Sequence, residues 1–176
     1  MKRLLLSVVV LISLSAFAGD KDSPVKWYTF EEALEAQAKE PKPLFMDIYT
    51  DWCGWCKKMD KNTFANAEIA KYLNENFYPV KFDAEQKEEI EYKGTTYKFV
   101  QKGRRGSHEL AIAILQGQMS YPSVAFMTEE AELLTVVPGY MEAKDFEPII
   151  HFFGGGYYKE DIKWEDFKKE FKGNVK

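Results

Sequence analysis

The run Leu44-Phe45-Met46-Asp47-Ile48-Tyr49 is apolar at every position but Asp47. It leads through Thr50-Asp51 into Trp52-Cys53-Gly54-Trp55-Cys56-Lys57. A continuous apolar run of this length suits a strand buried on both faces, which implies a parallel or mixed sheet covered by helices. The polar stretch after Cys53 predicts a helix to about Phe64.

Working outward, Thr29-Phe30-Glu31-Glu32 has the form of a capping box. It predicts a helix to about Lys39, stopped by Pro41 and Pro43, with a short strand before it over residues 25–28. Downstream, Asn66 can cap a helix whose buried stripe is Ile69, Tyr72 and Leu73. Residues 77–82 read as a strand. Residues 88–100 read as one hairpin turning near Lys93-Gly94, followed by a basic loop, Gly103-Arg104-Arg105-Gly106. Ser107 with Leu110, Ala113 and Ile114 opens a helix. Residues 123–127 and 133–137 are strands joined by an acidic turn at Glu129-Glu130. Phe146, Ile149, Ile150 and Phe153 recur at helical spacing. Pro148 requires that helix to start late or to kink. Gly154-Gly155-Gly156 ends it, and Trp164, Phe167 and Phe171 mark a last short helix. Alternating elements early in the chain predict a parallel core; closely spaced strands near its end predict an antiparallel edge.

The chain has 176 residues, enough for one domain with an insertion, and its 45% hydrophobic content excludes wholesale disorder. A formal charge of −4 argues against nucleic acid as the main partner. Met1-Lys2-Arg3, the apolar run Leu4 to Leu14 and Ala16-Phe17-Ala18 form the three parts of a secretory signal peptide. Residues 1–18 are therefore excluded from the fold, with cleavage expected after Ala18. Removing Lys2 and Arg3 with the leader leaves 22 basic against 28 acidic residues, a net −6. The remaining chain, with no further segment apolar enough to span a membrane, is expected to be exported, and periplasmic if the source is Gram-negative. Such compartments permit disulfides.

Both cysteines of the chain lie in one Cys-x-x-Cys. At a helix start, residues three apart share a face, so the two sulfurs can meet. A ring this small removes little unfolded-state entropy and is a poor staple, but it opens and closes with little backbone movement. Cys53 at the helix N-terminus faces unpaired N–H groups and the positive end of the dipole, which favour its thiolate. Cys53 is thus the candidate nucleophile and Cys56 the resolving thiol. Three other readings compete. A Cys₂His₂ zinc site with His108 and His151 has the right ligand count but the wrong spacing. A purely structural disulfide has too small a ring. A buried inert pair conflicts with the polar neighbours Asp51, Lys57 and Lys58. His108 is expected to pack near its helix start and His151 to lie on a helix surface.

Trp52-Cys53-Gly54-Trp55-Cys56-Lys57 after a buried strand resembles the thioredoxin active site. Asp47, six residues before Cys53, stands where thioredoxins keep a buried acid, and Lys81 matches the lysine beside that acid. Tyr121-Pro122-Ser123 resembles the cis-proline loop facing the sulfurs, and Gly139 the glycine between last strand and last helix. The likeness runs from about Val25 to Phe153. It implies an α/β thioredoxin-like fold: a central mixed sheet flanked by helices, with a hairpin-plus-helix insertion (about 86–120) before the cis-Pro loop. The domain would span 25–153, between a polar leader (19–24) and a helical tail (154–176). Trp55 in place of the usual proline, the bulky Tyr121, the long insertion and the tail depart from ordinary thioredoxins. The pattern looks more like exported bacterial thioredoxin-like proteins.

The resemblance implies a thiol–disulfide oxidoreductase. Cys53 and Cys56 carry the exchange and Asp47 accepts a proton from Cys56, with Lys81 neighbouring Asp47. Trp52, Gly54, Trp55, Tyr121 and Pro122 shape the partner groove. No organic cofactor or metal is expected, because the dithiol itself carries two electrons. Expected partners are protein thiols and disulfides, with a membrane electron-transfer protein as a candidate donor, and the chain is expected to be a monomer. The alternative is a non-catalytic binding module or chaperone using the same groove.

Overall fold

The computed structural model describes residues 24–176. The signal-peptide reading of residues 1–18, and all but the end of the polar leader, lie outside the described residues. A four-stranded sheet forms the centre, in the order β2 (Tyr78–Asp83), β1 (Leu44–Tyr49), β7 (Ser123–Met127), β8 (Leu133–Pro138). β1 runs parallel to β2 and antiparallel to β7, and β8 is antiparallel to β7, so the sheet is mixed. The parallel part is smaller than the element order predicts: among the described residues it is the β1–β2 pair and a single bridge from Tyr28 to Val80.

β1 is interior because it is apolar on both faces. Leu44, Met46 and Ile48 point to one core with Phe30, Val80 and Phe82; Phe45 points to a second with Phe64, Phe126 and Phe146. Period-two alternation puts Asp47 on the Phe45 face. On the first face lie α1 (Phe30–Lys39) and α4 (Glu109–Ile114). On the second lie α2 (Gly54–Met59), a π-helical turn (Asp60–Phe64), α3 (Ala67–Asn76) and α5 (Ala143–Gly154). The capping box forms: Thr29 Oγ1 accepts from Glu32 N–H at 3.1 Å, and Glu32 Oε2 accepts from Thr29 N–H at 2.9 Å. Asn66 caps α3 in the same way, from Glu68 and Ile69 N–H.

Several expectations are corrected. Residues 25–28 form no strand. Only Tyr28 bridges to Val80, while the Lys26 N–H donates to Asn74 Oδ1 and Asn74 donates to the Pro24 carbonyl. A side chain of α3 thus takes the backbone groups a ladder would need. In α3 Ala70, not Tyr72, joins Ile69 and Leu73 in the core. The insertion holds two hairpins, β3–β4 (Ile90–Tyr92, Thr95–Tyr97) and β5–β6 (Phe99–Lys102, Arg105–His108). Arg105 and Gly106 belong to β6, so the basic segment is a turn plus a strand. Gly106 is needed there, because a Cβ would lie 2.2 Å from Phe99 Cζ and 2.5 Å from the Val100 carbonyl oxygen.

His108, not Ser107, caps α4. Its Nδ1 accepts from Leu110 N–H at 3.2 Å, which leaves Nε2 to donate to the Glu88 carbonyl at 2.9 Å. His151 is half-buried rather than on the surface. Its ring stacks on Tyr72 at 3.7 Å between centroids, and burial lowers its pKa against the opposing charge of Glu147. α5 continues across Pro148. The tail folds back through the 3₁₀ turn Tyr157–Glu160 and α6 (Trp164–Glu170), and Phe152 packs against Trp164 and Phe167. The buried Glu147 carboxylate accepts the N–H groups of Asn174 (2.6 Å) and Val175 (3.1 Å). Among the described residues no helix is long and apolar enough to cross a membrane.

Candidate redox site

The chain leaves β1, turns at Thr50–Asp51 with Cys53 N–H donating to the Thr50 carbonyl at 3.0 Å, and enters α2. Cys53 is the N-cap, in extended conformation, so its sulfur faces the first turn of the helix. Cys53 and Cys56 are joined in a disulfide, with Cα atoms 5.3 Å apart, and Cys53 Sγ accepts the Cys56 N–H at 3.0 Å. That N–H is one of the helix donors without an intrahelical partner, and it stabilises negative charge on the same sulfur once the bond is opened.

Both cysteines are buried, Cys53 at 5% and Cys56 at 2% exposure. The polar neighbours did not prevent this. Asp51, Lys57 and Lys58 lie on the exposed side, whereas Cys56 and Met59, three apart, share the inward side of α2. Sequence neighbours of a helix start say little about which side turns inward. Gly54 is exposed, with no atom near the place of a Cβ.

Asp47 sits on the middle strand at 1% exposure, and Lys81 is its registered neighbour on β2. Lys81 Nζ donates to Asp47 Oδ2 at 2.5 Å. The same ammonium also contacts Asp60, four residues after Cys56, and lies over the rings of Trp27 and Tyr49 at about 5 Å. Asp47 Oδ1 is buried with no hydrogen-bond partner among the described residues, as is Thr50 Oγ1. Burial pushes the Asp47 carboxyl up to about 6; Lys81 pulls it down by charge and hydrogen bond, and Asp60 adds a smaller upward push. Burial lowers the Lys81 pKa, but Asp47 and Asp60 more than offset this and the net shift is upward. The register of β2 on β1 places Lys81 against Asp47, as the resemblance implies.

The Tyr121–Pro122 peptide bond is cis, and the Pro122 carbonyl accepts the N–H of Gly139 at 2.8 Å. Trp52 and Trp55 are 51% and 57% exposed. Tyr121 stands edge-on to Trp52, with centroids 6.0 Å apart, and Tyr140 packs against Trp55 at 5.3 Å. Trp52 Nε1 donates to Glu85 at 3.1 Å, and the Arg105 guanidinium lies over the Trp52 ring at 4.2 Å. Between them is a cleft of about 260 Å³ that also involves Ser107 and Met119.

Sequence reasoning missed Asp60 and Tyr140, and read Arg105 as part of a solvated basic loop where the structure lays it over Trp52. Asp60 had a signal: four residues after Cys56, it falls on the same side of a continuing helix. Tyr140 directly follows Gly139. The basic run Gly103-Arg104-Arg105-Gly106 was the signal for Arg105, but its place on Trp52 depends on how the second hairpin returns toward that ring.

The family model described as Thioredox_DsbH, protein of unknown function, DUF255, matches residues 14–152. Spermatogenesis-associated protein 20 of Mus musculus is 39% identical over 70 residues, 39% of this chain and 9% of that protein. Thiol:disulfide interchange protein DsbD of Pectobacterium atrosepticum is 41% identical over 39 residues, 22% of this chain and 7% of that protein. The chain thus spans about a tenth or less of the length of these relatives. A solved structure titled DsbH Oxidoreductase superposes with a TM-score of 0.54 at 17% identity, covering 88% of this chain and 95% of that one, a likeness of fold.

Proposed function

Because the chain belongs to the thioredoxin-fold Thioredox_DsbH family (DUF255), we propose that it is an exported thiol–disulfide oxidoreductase acting on other proteins. The observation that carries the reading is the closed Cys53–Cys56 pair at a helix N-terminus, on the chain segment that leaves the strand holding a buried, half-unpartnered carboxylate.

In the reducing direction the Cys53 thiolate attacks one sulfur of a partner disulfide. The partner's S–S bond breaks, a Cys53–partner bond forms, and the partner's other sulfur leaves as thiolate. Cys56 then loses its proton and attacks Cys53 Sγ. The Cys53–Cys56 bond closes and the second partner sulfur departs. The partner gains two electrons and the chain loses two; the reverse sequence oxidises a partner dithiol. Asp47 accepts the Cys56 proton, relayed by solvent, because Oδ1 is free and its raised pKa lies near neutrality. Lys81 and Asp60 set how readily that carboxyl ionises. Pro122 and Tyr121 border the groove where an extended partner segment binds.

The dithiol carries both electrons, so the reading calls for no organic cofactor or metal. In an oxidising compartment the reducing direction needs an upstream donor, and a membrane electron-transfer protein suits that role. The reading takes residues 1–18 as a cleaved leader, 25–153 as the redox domain and the chain as a monomer. A Cys56→Ala variant should trap partners as mixed disulfides through Cys53, released by dithiothreitol. Absence of any trapped protein, or full client activity in a Cys53→Ser variant, would overturn the reading.

A further inference from the structure

Each of the two tryptophans flanking the disulfide is half-exposed and carries a cation on its ring. Arg105 lies over Trp52 at 4.2 Å, and Lys58 lies 4.7 Å from the Trp55 centroid and 4.8 Å from that of Tyr140. Both cations are exposed. Neither has a carboxylate within salt-bridge distance among the described residues, although Lys81, Lys93, Lys98, Lys159 and Lys169 all do. Glu85 lines the same cleft as Arg105, but its carboxylate is bound to the Trp52 indole N–H.

The two cations come from different places. Lys58 is on α2, two residues past Cys56. Arg105 is delivered by the second hairpin of the insertion. The close pairing of β5 and β6 within that hairpin depends on Gly106, where a side chain would strike Phe99. Resting a guanidinium or an ammonium on an aromatic face fixes its position while leaving its outer side open to an anion. In a chain with net charge −4, Arg105 and Lys58 are exposed cations with no salt-bridge partner among the described residues, each held on a tryptophan of the redox site beside the carboxylates of Asp51 and Glu85. Complementary charge of this kind chooses partners and speeds encounter.

We propose that the Trp52–Arg105 and Trp55–Lys58 pairs form a docking rim for an extended segment of a partner protein that bears Asp or Glu residues close to its reactive cysteine. This rests on the oxidoreductase reading and adds the class of partner. The partner's apolar backbone stretch lies over the tryptophans, and its carboxylates reach Arg105 on one side and Lys58 on the other. The insertion thereby acts as a specificity element, since without the second hairpin there is no Arg105 at the site.

The test uses short disulfide-linked peptides that differ only in the residues flanking one cysteine: acidic, neutral or basic. Matching peptides with serine in place of cysteine measure binding by the change in tryptophan fluorescence. The reduced chain should react with the acidic disulfide about tenfold faster than with the basic one at low ionic strength, and the ratio should shrink as salt screens the charges. Arg105→Glu or Lys58→Glu should each lower that ratio, and the two together should invert it. A ratio of one in the native chain, or a ratio that survives both reversals, overturns the proposal. The two readings separate cleanly. Equal reduction of all three disulfides removes the docking rim and leaves the oxidoreductase. Acid-selective binding of the serine peptides without reduction of the disulfides keeps the rim and removes the oxidoreductase.

Discussion

Lys81 stands beside Asp47 in the parallel register of β2 and β1, and its ammonium reaches only one of the two carboxylate oxygens. The other oxygen is buried with no hydrogen-bond partner among the described residues. Asp47 is therefore neither a fully satisfied ion pair nor an isolated acid. Its affinity for a proton is set by burial on one side and by Lys81 on the other.

The first consequence concerns stability and pH. The folded-state pKa of Asp47 is raised from an ordinary 3.8 to about 6, so the folded chain binds more protons than the unfolded chain between those values. Stability therefore falls as pH rises from about 4 to about 6, and the loss is complete above the folded pKa. Asp47→Asn, which cannot ionise, should be more stable than the native chain at pH 8 by about 1–3 kcal/mol and nearly equal to it below pH 4. Urea unfolding at the two pH values measures this. A variant equally destabilised at both would show that the carboxylate is needed for packing rather than strained by ionisation.

Lys81→Met removes the charge that pulls Asp47 down. The pH midpoint of that stability change should then move upward from about 6. The acid limb of the thiol-exchange rate profile, where a base is lost by protonation, should move with it if Asp47 takes the Cys56 proton. Urea unfolding across pH 4–9 follows the first, and stopped-flow exchange with a neutral small disulfide over about the same range follows the second. A profile that keeps its native midpoint would remove Asp47 from the proton path.

Gly106 is hemmed in by Phe99 and the Val100 carbonyl. Gly106→Ala should force β5 and β6 apart and cost about 1–3 kcal/mol, the usual range for overpacking a tight contact. Because the strain is local, amide exchange in residues 99–108 should accelerate more than in the central sheet. Uniform acceleration would mean that the hairpin unfolds only with the whole domain.

Glu147 holds the end of the chain through two backbone N–H groups. Glu147→Ala should release residues 173–176, and the Asn174 and Val175 amides should lose their exchange protection. A cost of about 1–3 kcal/mol follows from leaving formerly paired donors to solvent and losing a charged acceptor. Unchanged protection at those two amides would mean that α6 alone anchors the tail.

Much of the fold was legible in advance. The Thr29–Glu32 capping box, the Asn66 cap and the all-apolar β1 depend on residues within one turn or one strand of each other, and such local rules carry through to the structure. The pairing of the two cysteines also follows from their three-residue spacing on one helix start. The insertion was less legible. β5 and β6 are four residues each, too short to show a period, and a glycine within β6 looked like a loop when it is a point of close packing.

The amino-acid sequence by itself determined which sulfurs pair, the strand that holds the acid, and the capped starts of the helices over residues 30–39 and 67–76, because each depends on spacing along the chain. Tertiary structure decided the rest. Asp60 joins Lys81 and Asp47, Arg105 settles on Trp52, and Glu147 receives a backbone that follows it by more than twenty residues. These contacts unite segments far apart in the chain, and only the packing of sheet, helices and hairpins brings such segments within reach of one another.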